Sequence, residues 1–111
     1  MNSRTNVLKT FAPELVQEVG AGQENLEAVK SAMRQVILSS TAKDFSGYST
    51  PVAAKTGTAQ NSGTDHTTFV CFAPYEKPKI AVAVVIEHGK IGWASKSVAR
   101  KIMDCYFGLE K

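Results

Sequence analysis

Seven consecutive residues, Ile80-Ala-Val-Ala-Val-Val-Ile86, are apolar and uncharged. The run is far too short to cross a bilayer, which takes about 20 residues. Its β-branched content reads as a strand. Both faces of such a strand are apolar, so both need cover. The run is therefore expected to be central in its sheet, with helices packed on both sides. With 111 residues the rest of one domain has to supply that cover.

The remaining elements follow from periodicity and turn chemistry. Residues 24–38 predict a helix, with Leu26, Val29, Met33, Val36 and Ile37 on one face. Glu24 and Glu27 suit its first turn, and Gly22 or Gln23 would cap it. Residues 39–50 are rich in Ser, Thr and Gly and read as a loop. Three strands are expected, over Pro51–Gln60, Thr67–Ala73 and Lys79–Glu87. Turns around 61–65 and 74–78 separate them. Connections this short make the strands an antiparallel meander. A last helix over 95–107 would present Val98, Ile102, Met103 and Tyr106, with Ser95 as N-cap and Gly108 just past its end. Residues 1–22 read as an extended lead-in closed by Gly20-Ala-Gly22. The fold class is thus α+β, a three-stranded antiparallel meander with flanking helices.

Composition excludes several classes of function. Hydrophobic residues at 43% and charged residues at 21% are globular, not disordered. Thirteen Lys+Arg against ten Asp+Glu leave +3, scattered without a stripe, so no nucleic-acid partner is expected. The first residues carry no apolar core of a signal peptide and no transmembrane run. Cys71 and Cys105 are too few for a disulfide scaffold and read as two buried thiols. His66 and His88 have no Cys, Asp or Glu at metal spacing, so no metal and no other cofactor is expected. Trp93 reads as a packing anchor, and Met33 and Met103 as core fillers. Glu87 ends its strand without a catalytic role. Asp65-His66, beside the turn after the first strand, would lie near a substrate bound there.

The informative motif is Lys55-Thr56-Gly57, on the first strand of the meander. A Lys-Ser/Thr-Gly triplet belongs to the signature set of β-lactamases and penicillin-binding proteins. Its context narrows the match: Val52-Ala-Ala-Lys-Thr-Gly-Thr-Ala-Gln60, His66-Thr-Thr-Phe-Val-Cys-Phe-Ala-Pro74 and Ile80-Ala-Val-Ala-Val-Val-Ile-Glu-His-Gly89. Together with Asn25-Leu-Glu-Ala-Val-Lys-Ser-Ala-Met-Arg34, these resemble the C-terminal part of a class B penicillin-binding protein. The resemblance spans essentially the whole chain. The continuation Thr58-Ala59-Gln60 favours the transpeptidase over the lactamase and sensor relatives, which more often continue with Gly. Lys90-Ile-Gly-Trp93 departs from the Gly-rich stretch common at that point.

The resemblance implies peptidoglycan D,D-transpeptidation through a serine acyl-enzyme, inhibited by β-lactams. Lys55 would meet the substrate's C-terminal carboxylate and handle protons. The hydroxyls of Thr56 and Thr58 would donate to that carboxylate. Gly57 would let an extended peptide approach closely. The Thr58 backbone N–H would be one of two oxyanion-hole donors, each typically contributing 10²–10³ in kcat. The catalytic candidates are therefore Lys55 and Thr58, and the substrate-binding ones Thr56, Gly57 and Thr58. Expected partners are the peptidoglycan stem peptide, β-lactams and the upstream part of the same domain. The parent is expected outside the cytoplasmic membrane of a bacterium, anchored by a segment not in this sequence.

The family's nucleophile is a serine in the first turn of a buried helix, three residues before a lysine. The string Ser40-Thr-Ala-Lys43 has that spacing but follows a helix instead of opening one, and is expected to be a decoy. No Ser-x-Asn occurs. The chain is thus expected to carry one wall of an active site without its nucleophile, and to be inactive alone. In the family two upstream strands complete the sheet beside Ile80–Glu87; their absence would leave an apolar edge open to self-association. A β-lactam sensor domain and a truncated, non-catalytic interaction module remain as alternatives.

Overall fold

A computed structural model describes residues 6–39, 42, 45–90 and 92–109. The order is α1 (Gln23–Ser39), β1 (Ala53–Ala59), β2 (His66–Ala73), β3 (Ile80–Ile86) and α2 (Trp93–Tyr106). The three strands form one antiparallel sheet in the order β1-β2-β3. Residues 6–20 form neither helix nor strand, and their apolar side chains stand exposed.

The α+β class, the meander and both helices agree with the sequence reading. The expectation of a central β3 does not hold within this chain, whereas the expected open edge does. β3 is an edge strand, because a three-strand meander puts its last strand outside unless another segment joins it. No other described segment does. Its cover is one-sided as well. Val82 packs into the core, whereas Ala81, Ala83 and Val85 are exposed on the other face.

The two sheet faces follow from the register. Ala54, Phe69, Cys71, Ala73 and Val82 share one face and form the core with Ala99 and Met103 of α2. Met103 Sδ accepts the Cys71 Sγ contact at 3.9 Å. Phe45, from the segment before β1, stacks on Phe69 with centroids 5.7 Å apart. Helix α1 packs against β1, where Arg34 Nη1 donates to the Val52 carbonyl at 2.6 Å. Tyr48 joins the segment before β1 to α2, its hydroxyl donating to Asp104 Oδ1 at 2.6 Å.

Several details correct the sequence reading. Helix α1 begins after Gly22, whose left-handed φ of 78° turns the chain into the helix. Leu26 and Val29, expected on its buried face, are 40% and 58% exposed, and only Ile37 is fully buried. Helix α2 starts at Trp93, not Ser95. Gly92 is its N-cap, and Ser95 is buried with its hydroxyl donating to the Gly92 carbonyl. The inward face of α2 is Ser95, Ala99 and Met103; Val98, Ile102 and Tyr106 point outward. Trp93 is 63% exposed, not the buried packing anchor expected. Cys71 is buried as expected, but Cys105 is exposed. Gly108, at φ 71°, ends α2 as the sequence indicated.

Candidate active site

Strand β1 carries the triplet along the other outer edge of the sheet, since among the described residues it pairs only with β2. Extended backbone with one unpaired side is the element an extended peptide can join. Lys55 and Thr58 are exposed, and Thr56 and Gly57 are half-buried. All four residues are therefore reached from outside, on one continuous segment.

Strand alternation divides them. Lys55 and Gly57 share a face with Val70 and Thr68, their direct partners on β2; Thr56 and Thr58 share the opposite face with Phe69 and Thr67. The Lys55 ammonium donates to the neighbouring Thr56 carbonyl at 2.6 Å. No described acidic side chain lies within ion-pair distance of it. The ammonium stands on an exposed residue that an anion can reach. Gly57 answers to a steric need. A side-chain carbon there would run into the Thr68 hydroxyl.

The face beside Lys55 is apolar and uncovered. Val70, Phe72, Ala81 and Ala83 line an open depression of about 270 Å³, and Met33 of α1 reaches one side of it. Sequence patterning anticipated this apolar surface but assigned it a covering helix. It did not anticipate that the surface would adjoin Lys55, because that depends on the β1–β2 register.

The end of the hairpin carries the two histidines. His66 opens β2 opposite Ala59, and His88 lies just past β3, with ring centroids 4.7 Å apart. Periodicity could not bring together residues 22 positions apart. Among the described residues, no group of three or more His, Cys, Asp or Glu could hold a metal ion. Ser40 and Lys43 lie outside the described residues.

Comparison with known proteins identifies the family. The family profile of the penicillin binding protein transpeptidase domain matches residues 5–104. Penicillin-binding protein 2A of Bacillus subtilis is 32% identical over 94% of this chain and 17% of its own length. The peptidoglycan D,D-transpeptidase MrdA of Acinetobacter baumannii is 33% identical over 84% of this chain and 16% of its own. This chain thus spans about a sixth of the length of these relatives. A crystal structure of Pseudomonas aeruginosa PBP2 in complex with WCK 5153 superposes with a TM-score of 0.72 at 32% identity, over 87% of this chain and 23% of that one. No described helix is long and apolar enough to cross a membrane. The matched profile and the identity to these relatives establish that this chain belongs to the penicillin-binding protein transpeptidase family.

Proposed function

We propose that this chain supplies the substrate-carboxylate wall of a peptidoglycan D,D-transpeptidase site. The observation that carries the reading is Lys55-Thr56-Gly57-Thr58 on an exposed, one-sided edge strand, within a family match over most of the chain. A stem peptide or a β-lactam lies along β1 as an added strand. Lys55 and the hydroxyls of Thr56 and Thr58 hold the terminal carboxylate. Gly57 admits the peptide backbone, and the Thr58 N–H donates to the developing oxyanion.

The serine nucleophile comes from elsewhere in the same transpeptidase domain. The uncovered apolar face beside Lys55 supports this reading. It offers apolar surface against which the rest of the domain can pack beside the lysine. The complete protein works on the outer side of the cytoplasmic membrane of a bacterium. Neither a cofactor nor a nucleic acid enters the reaction.

Intact-mass spectrometry after incubation with a reactive penicillin tests the division of labour. The chain alone is expected to stay unmodified. A stoichiometric adduct at Ser40 would make Ser40-Thr-Ala-Lys43 a working nucleophile and overturn the reading.

A further inference from the structure

The corner that follows β3 is strapped onto the start of β2. His88 and Lys90 take φ values of 51° and 60°, a left-handed conformation uncommon outside glycine. Specific contacts hold it. The His88 N–H donates to His66 Nδ1 at 2.9 Å, and the Lys90 N–H donates to the Asp65 carbonyl at 3.2 Å. His88 Nδ1 faces the Thr64 carbonyl at 2.8 Å. That carbonyl also accepts from Asn61 Nδ2, so the hairpin turn is part of the same assembly. Between the two histidine contacts, Gly89 lies close over Thr67. A side-chain carbon at 89 would come within 2.6 Å of the buried Thr67 hydroxyl.

The hydrogen bonds fix different tautomers on the two rings. A carbonyl only accepts, so His88 carries a proton on Nδ1. His66 Nδ1 accepts, so it is bare and the ring's proton sits on Nε2. A second proton therefore acts unequally. On His88 it goes to Nε2 and leaves the Thr64 bond intact. On His66 it goes to Nδ1 and sets one N–H against another, so the bond to His88 is lost.

We propose that His66 is a positioning residue whose neutral form clasps the corner and holds the Thr58 end of β1, and whose protonation releases it. The path is short. His66 is the register partner of Ala59, and Thr67 that of Thr58, so the β1–β2 ladder carries a shift at 66–67 directly into 58–59. Among the described residues, the charged and titratable groups next to His66 in sequence or at the corner are Asp65, Glu87, Lys90 and His88, and its β1 register partner is Ala59. The functional meaning of the clasp rests on the role assigned to Thr58 above. The clasp itself does not.

The test is a pH titration of the 111-residue chain by ¹⁵N NMR, without ligand. At high pH, His66 is expected to show a bare Nδ1 and His88 a protonated one. On acidification the amides of His88, Thr58 and Ala59 should shift together with the His66 ring, at one midpoint. In His66→Asn, Oδ1 takes the place of Nδ1 and cannot titrate. The Thr58 amide should then keep its high-pH position throughout. In His66→Ala it should show the acid position at every pH, with exchange of the His88 amide roughly tenfold faster for the lost hydrogen bond. His88→Ala keeps the main-chain donor, so the Thr58 response should persist. Three results would overturn the proposal: a Thr58 amide that stays still while the His66 ring titrates, one that follows His88 instead, or a His66→Asn variant that behaves like His66→Ala. Should His66→Ala not fold, the wild-type midpoints and His66→Asn decide. Because no substrate is present, failure here leaves the carboxylate wall untouched, and failure of the wall leaves the clasp standing.

Discussion

Removing the Tyr48 hydroxyl should loosen the attachment of the β1 lead-in to α2. The hydroxyl donates to the Asp104 carboxylate at 2.6 Å, in a half-buried setting. Hydrogen bonds to charged groups contribute about 1.5–3 kcal/mol, and partial exposure places this one near about 1.5 kcal/mol. Tyr48→Phe isolates that bond because the ring keeps its neighbours. The Phe45 ring stays 5.9 Å away, and the Arg100 guanidinium stays 5.1 Å from the centroid. The expected fall in Tm is roughly 6–12 °C for a domain of this size. A double-mutant cycle with Asp104→Ala should return a coupling of about 1 kcal/mol. The bond also leaves a pH signature. Burial, and then the bond to Asp104, hold the Tyr48 hydroxyl well above its ordinary range. The folded state therefore keeps a proton that the unfolded state has begun to lose. Stability is full below the ordinary tyrosine range and falls as pH rises above it, and Tyr48→Phe should remove that part of the fall. Thermal unfolding reads the Tm, and urea unfolding at several pH values reads the coupling and the pH signature. A Tyr48→Phe variant as stable as the wild type, or a coupling near zero, would refute the argument.

Three further outcomes are expected. Phe69 is fully buried and stacked on Phe45, so Phe69→Ala should cost about 3–5 kcal/mol in urea unfolding, and a loss below about 1 kcal/mol would contradict the core described here. Burial pushes the Cys71 thiol from 9.0 up to about 11, so the folded state holds its proton longer than the unfolded one and stability should fall as pH rises between those values; the same slope in Cys71→Ala would exclude this cause. We also predict that the isolated chain self-associates through β3, whose outer edge is unpaired and whose Ala81, Ala83 and Val85 are exposed; a monodisperse monomer in light scattering at tens of micromolar would count against it.

Much of the fold is local and was legible for that reason. Strand ends follow Asn61–Asp65 and Pro74–Pro78, where turn chemistry punctuates apolar runs. The Lys-Thr-Gly triplet fell on a strand because Pro51 and the turn after Gln60 bound the segment that carries it. Burial was less legible. Leu26, Val29, Val98 and Ile102 are spaced as a core face would be, yet they stand exposed. Periodicity reports which residues share a face, not whether anything packs on it. The misplaced start of α2 has a similar origin. Ser95 has the chemistry of an N-cap, but its hydroxyl bonds back to Gly92 from inside the first turn. Two features of the site needed three dimensions: Val70 beside Lys55, which rests on register, and His66 against His88, which rests on a left-handed corner.

The central claim is that β1 holds a substrate carboxylate, and one titration addresses it directly. The ¹⁵N-labelled chain is titrated with a short acylated D-alanyl-D-alanine peptide, and in parallel with its C-terminal amide. The account predicts that the acid shifts the amides of Lys55 to Thr58, that the neutral amide does not, and that Lys55→Ala abolishes the response. Equal shifts with both peptides, or shifts confined to residues away from β1, would contradict it.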